Sequence, residues 1–172
     1  ASHIFHPLMN EFVKDIQNRL GVSLDNKNQN NQKKIYLSRS HARKTSNSFR
    51  RKILNERDLI KQLEILDFEI IVPETLSWVD QLKIYSNASV FIAEGGSGLH
   101  NSIFSNDQAA VISIDNPNHV QGMIANLRHQ HLRFFESEII DIENNIRKVD
   151  IDRFMDLVIR TCKQQEDKLF ST

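Results

Sequence analysis

The chain is 172 residues long, 40% hydrophobic and 26% charged, which suits one domain with a buried core and excludes disorder over most of the length. Its 22 Lys/Arg balance 22 Asp/Glu, which excludes a bulk nucleic-acid coat and a polybasic membrane protein, and no apolar run reaches the roughly 18–20 residues of a bilayer span. Cys162 is the single cysteine, so an internal disulfide and a Cys-based zinc site are excluded. Ala1–Asn10 does not read as a signal peptide; a reducing cytoplasm is the expected compartment, with peripheral attachment to a membrane as the alternative.

In chain order, Pro7–Leu20 spaces Leu8, Met9, Phe12, Val13, Ile16 and Leu20 as one face of a helix, with Pro7 suited to its first turn and Gly21 to its end. Asp25–Gln32 contains no apolar residue and reads as a solvated connector. The expected organisation is a helical arm (1–24), a polar linker (25–33) and a main domain (34–172). From Lys34 onward, strand and helix alternate: strand Lys34–Ser38, helix Leu54–Asp67 capped by Asn55, strand Phe68–Pro73, helix Ser77–Ala88, strand Ser89–Gly96, helix Ser97–Asn106, strand Ala109–Asp115, helix His119–His129, strand His131–Ser137 and closing helix Asp150–Leu169. Short, continuously apolar strands separated by helices indicate a doubly wound, Rossmann-like α/β domain with about five parallel strands covered on both faces.

The balanced charge conceals an asymmetry. Lys33–Lys61 holds ten Lys/Arg against two acids, a net of +8, whereas the remainder holds twelve against twenty, a net of −8. A local positive field on a neutral body suits a compact anion such as a diphosphate; the plainer reading is a solvated basic loop. In an open parallel sheet, ligands sit beyond the C-terminal strand ends, where two loops stand out. One begins at Ser38-Arg39. The other is Glu94-Gly95-Gly96-Ser97-Gly98, which holds three of the five glycines. Glycines admit a ligand close to the backbone, where amide groups at a helix start attract anions.

Known motifs fit this loop poorly. The dinucleotide fingerprint fails because Asn101 stands where its last glycine belongs, and no Gly-Lys-Ser/Thr is present. A nucleophile elbow fits Gly95-Gly96-Ser97-Gly98 but breaks at Leu99, leaving an α/β hydrolase using Ser97, with His119, His129 or His131 as base, as a minor alternative. Asp150-Ile151-Asp152 has the form of a metal-holding D-x-D, but capping of the closing helix explains it without a metal. His129 and His131 lack a third ligand, and Asn87-Ala88-Ser89 signifies glycosylation only in a secreted protein. Trp78 and the ten Phe read as core.

"KIYLSRS", followed by "RRKILNERDLIKQLEILDFEIIVPETLSWVDQLKIYSNASVFIAEGGSGLHNSIF", resembles the signature of glycosyltransferase family 61: a strand ending in Ser-Arg, an Arg-rich stretch closing on Ile-Leu-Asn-Glu, a Gly-Phe-Glu strand, Pro-Glu, then a glycine loop and helix. The resemblance implies the C-terminal, nucleotide-sugar-binding half of a two-domain GT-B enzyme. Such enzymes are inverting and transfer xylose, N-acetylglucosamine or related sugars; bacterial members are labelled capsular polysaccharide biosynthesis proteins. It implies substrate contacts from Arg39, Arg51, Glu56, Gly96, Ser97, Gly98 and Asn101, no resident metal or cofactor, a UDP-sugar donor, a glycan or polysaccharide acceptor, and an N-terminal acceptor domain as partner. The general base is not identified. Two departures stand out: Gly95 occupies the place of a His found in many eukaryotic members, and Asp67 replaces the Gly of Gly-Phe-Glu. A nucleotide- or phosphate-binding module without catalysis is the other function class the residues leave open.

Overall fold

The computed structural model describes residues 5–21, 33–39 and 52–169; Arg51 and residues 25–32 of the expected linker lie outside them. The elements are α1 (Leu8–Arg19), β1 (Lys33–Leu37), β2 (Lys52–Ile53), α2 (Glu56–Ile65), β3 (Phe68–Ile71), α3 (Trp78–Ser86), β4 (Ala88–Glu94), α4 (Ser97–His100), β5 (Ala110–Ile114), α5 (His119–Leu127), β6 (His131–Phe135), β7 (Glu138–Asp141), β8 (Ile146–Lys148) and α6 (Ile151–Leu169). Lys33, counted in the linker by the sequence, is the first residue of β1.

Five strands form a parallel sheet in the order β3-β1-β4-β5-β6, with Tyr36 opposite Ile92 and Ile92 opposite Ile112. Successive side chains of a strand point to opposite faces, and here both faces are buried. Tyr36, Ile92 and Ile112 pack with Leu59 and Leu63 of α2 and Phe154 and Val158 of α6. Ile35, Leu37, Phe91 and Val111 pack with Val13 of α1, Leu82 and Tyr85 of α3, and Leu99 of α4. All seven residues of β4 are buried, which is why the strands read as unbroken apolar runs.

The sequence did not anticipate the second, three-stranded sheet, β2-β8-β7, with β2 parallel and β7 antiparallel to β8. Asn55 ties it to the main body. The expected side-chain cap on α2 is not made; the Asn55 amide instead donates to Val149 O at 2.8 Å and accepts from Val149 N at 3.0 Å. Asp150 does cap α6, accepting from Arg153 N at 3.2 Å, so the D-x-D has an ordinary structural role. Trp78 and Phe12 were expected in the core but are about half exposed, as is Phe134; Trp78 still meets Phe104 edge to face at 5.6 Å. Among the described residues no helix is long and apolar enough to cross a membrane.

Asp67 links α2 to β3 with φ of 59°, in the left-handed region where a Cβ is strained. A glycine relieves that strain but adds freedom to the unfolded chain. Asp67→Gly should therefore stabilise the fold by about 0.5 kcal/mol, read as a higher urea midpoint at unchanged m-value.

Candidate functional site

The chain runs from β1 outward to β3, then returns so that β4 pairs with the other side of β1. The crevice beyond the C-terminal ends of β1 and β4 is thus the topological switch point of the sheet. A cavity of about 460 Å³ lies there, lined by Ser38 and Arg39 after β1, Pro73 and Glu74 after β3, Gln81 of α3, Glu94 at the end of β4, and Gly96, Ser97 and Gly98. The size is within the range of small-molecule sites.

Each wall has its own support. Ser38 N donates to Ile71 O at 2.8 Å, fixing the end of β1 against β3. The Ser38 and Tyr36 hydroxyls donate to the buried Glu56 carboxylate at 3.0 and 3.1 Å. Glu56 does not line the cavity; it holds the strand end from which Arg39 departs. On the opposite wall, Gln81 Nε2 donates to Pro73 O at 2.8 Å and to Leu76 O at 3.3 Å, while Gln81 Oε1 accepts from the Tyr85 hydroxyl at 3.1 Å. Burial, reinforced by Glu74, pushes the Tyr85 phenol well above its ordinary value, so Tyr85 remains a neutral donor to Gln81 at any physiological pH.

The glycine loop combines three different requirements. Gly95 is buried under the end of β5, and an added Cβ would stand 2.4 Å from Asp115 O and 2.9 Å from both Asn116 O and Ser113 Oγ. Gly96 has φ of 145°, a conformation left to glycine. Gly98 needs neither: a Cβ there would meet nothing within 4 Å. In a helical turn a glycine costs roughly 0.5–1 kcal/mol relative to alanine, so the fold gives no reason for Gly98, whereas the open cavity beside it does. Gly98→Ala should raise the unfolding midpoint slightly and weaken ligand binding about tenfold, as a methyl group enters the space above the loop. Paired denaturation and binding titrations read both effects.

The helix after this loop is shorter than expected. α4 is a single turn that continues as a 3-10 turn, Asn101–Phe104, and stops where Ser105 donates through both N and Oγ to Ser102 O, at 3.0 and 2.7 Å. Its dipole is correspondingly small, and the anion-binding capacity rests on first-turn amides and on Arg39. Asn101 is half-buried at the end of α4, away from the lining. The structure thus gathers Arg39, Gly96, Ser97 and Gly98 on one cavity, places Glu56 behind it and Asn101 aside. Pro73, Glu74 and Gln81 were missed, although their place after β3 is itself a strand-end signal.

The charge of the lining carries chemical information. Among the described residues it sets one guanidinium, Arg39, against two carboxylates, Glu74 and Glu94. A bare polyanion is a poor match. A ligand offering anionic oxygens at one end and hydroxyl donors at the other is a good one. The hydrolase alternative lacks its geometry: the strained residue is Gly96 rather than Ser97, and among the described residues no hydrogen bond joins Ser97 to a histidine. Of the other carboxylates near the strand ends, Asp115 is engaged with Ser137 N at 2.8 Å, Ser137 Oγ at 2.6 Å and Arg147 at 3.5 Å.

Comparison with known proteins gives a consistent result. The family model Glycosyltransferase 61 matches residues 1–112. A protein of Rattus norvegicus named EGF domain-specific O-linked N-acetylglucosamine transferase is 31% identical over 114 residues, 63% of this chain and 20% of that protein. Its Mus musculus namesake is 38% identical over 71 residues, 38% of this chain and 14% of that protein. The chain spans a fifth or less of the length of these curated relatives.

Proposed function

Because the chain belongs to glycosyltransferase family 61, we propose that the cavity between β1 and β4 holds the nucleoside diphosphate of a UDP-sugar, and that the chain is the donor-binding half of an inverting, metal-independent transferase of glycan or polysaccharide synthesis. The observation that carries this reading is the meeting of Arg39, the φ of 145° at Gly96 and the open face of Gly98 at the switch point of the sheet. The mixed lining supports it, with the diphosphate against Arg39 and the loop amides, and the ribose and sugar hydroxyls within reach of Glu74 and Glu94.

Sugar transfer breaks the bond to the diphosphate, so negative charge grows on the departing phosphate oxygen. A fixed guanidinium and backbone amides aimed at that oxygen stabilise the transition state more than the ground state. Arg suits the role because its planar fork grips phosphate at two points and keeps its charge. The acceptor glycan and the base that deprotonates its hydroxyl belong to an N-terminal acceptor half in this reading. Positioning of the two reactants is worth up to about 7–11 kcal/mol in well-oriented systems, so these 172 residues bind donor but transfer sugar poorly alone. The named relatives make UDP-N-acetylglucosamine the first donor to test.

A thermal-shift panel of UDP, UDP-N-acetylglucosamine, ADP and NAD, with and without EDTA, tests the proposal. UDP ligands are expected to raise the midpoint most, equally in EDTA. Stabilisation by NAD alone, or loss of the UDP effect on chelation, contradicts it.

A further inference from the structure

β6 is an edge strand of the main sheet, two strands away from the switch point. Its residues His131, Arg133 and Phe135 share one face, and Phe135 packs edge to face on Phe154 of α6 at 5.0 Å. At helical spacing along α6, Arg153, Leu157, Arg160 and Gln164 turn toward the same groove, which encloses about 410 Å³ and shares no residue with the cavity between β1 and β4. Its floor is apolar, from Phe135 and Leu157, and three guanidinium groups stand around it against one carboxylate, Asp156.

These cations are incompletely neutralised. Arg160 pairs with Asp156, but both side chains are largely exposed, and such a pair contributes little and rearranges readily. Arg153 lies over the Phe135 ring at 6.0 Å. Arg133 donates through Nη2 to Gln164 Oε1 and makes no ion pair with a carboxylate among the described residues, while its Nε is shielded from water without a hydrogen-bond partner. His131 and Lys168, which contact each other outside the groove lining, both have pKa values held below their ordinary ones, by burial first and then by neighbouring cations, Arg133 among them.

We propose that the groove between β6 and α6 is a second anion site, taking a phosphoryl group carried on an apolar organic body. The guanidinium groups of Arg133, Arg153 and Arg160 grip the phosphoryl oxygens in the fork geometry that suits phosphate, and the organic body lies on Phe135 and Leu157. The site does not depend on the donor reading and survives if that reading fails.

The arginine Nε–Hε resonances of the ¹⁵N-labelled chain test it. Inorganic phosphate and phenyl phosphate serve as soluble probes, and phosphatidylcholine vesicles with and without phosphatidic acid as the lipid probe. Phenyl phosphate should shift the Arg133 resonance saturably, and at lower concentration than inorganic phosphate. Arg133→Met and the exposed Arg160→Gln should each weaken binding about tenfold, with the backbone amide spectrum retained, and Arg39→Ala should leave it unchanged. Vesicle sedimentation that needs phosphatidic acid and Arg133 assigns the phosphoryl group to a lipid headgroup; phenyl phosphate binding without sedimentation assigns it to a soluble ester. A response that rises without saturating, or that persists in both Arg133→Met and Arg160→Gln, overturns the proposal.

Discussion

Gly95→Ala is expected to destabilise the chain by about 3 kcal/mol, at the upper end of ordinary overpacking. Two of the three atoms its Cβ would strike, Asp115 O and Asn116 O, are backbone, and that backbone is held on several sides. Gly95 N donates to Ile114 O at 2.8 Å and Asp115 N to Phe135 O at 2.8 Å. The Asp115 carboxylate is tied to Ser137 and Arg147. Asp115 and Asn116 also already sit at φ of 59° and 49°, so the turn has little slack. A methyl group must therefore push β4 and β5 apart at the mouth of the cavity. Urea unfolding should show a lower midpoint at constant m-value, and the remaining folded protein should bind nucleotide less well. A side chain at position 95 has no space in this packing.

Arg128→Ala is expected to cost about 3–4 kcal/mol, and Arg128→Met about 1 kcal/mol. Arg128 is fully buried at the end of α5. Its guanidinium donates to Asn10 of α1 and to Ser105 O at 2.9 Å, and it meets Asp107 at 3.2 Å. Burial lowers its pKa, and Asp107 partly restores it. Both substitutions remove the donor to Ser105 O; alanine leaves a cavity as well. Methionine fills most of the volume and removes the desolvation of a buried cation, and Asp107, about half exposed, returns to water. The arm should respond as well. α1 is held by Val13 and by Gln17, which donates to Ser86 Oγ at 3.0 Å and Phe104 O at 2.9 Å, so losing the Asn10 contact should speed amide exchange across Leu8–Arg19. Equal destabilisation by alanine and methionine would show that the charge, not the volume, stabilises this corner.

The central strands were legible because β4 and β5 are buried along their whole length and so read as continuous apolar runs; the edge strands β3 and β6 are only partly buried and were legible from their place between two predicted helices. β2, β7 and β8 were not, since they are two to four residues long and include exposed Ile139 and Ile140, which leaves no periodicity to read. The cap read at Asp150 forms, and Ser77 and Asn118 also cap their helices; the cap read at Asn55 does not, because its amide found a longer-range partner in Val149 that no local pattern announces. At the site, strand-end logic pointed to Arg39 and the glycine loop. It could not separate Glu56, which acts through Ser38, from residues facing the cavity, because that distinction depends on where α2 packs. Gly95 and Gly98 look alike in sequence, but one is required by the backbone packed against it, whereas a Cβ on the other would meet nothing within 4 Å.

In the proposed function Arg39 and the glycine loop grip a nucleoside diphosphate. Calorimetric titration of UDP into the wild-type chain and Arg39→Ala, both in EDTA, tests it most directly. One saturable site is expected in the wild type and a Kd raised roughly 10- to 100-fold by Arg39→Ala, the loss of a charge-assisted hydrogen bond worth about 1.5–3 kcal/mol, with the unfolding midpoint unchanged. UDP binding of undiminished affinity in Arg39→Ala, or no binding to the wild type at millimolar UDP, would contradict it.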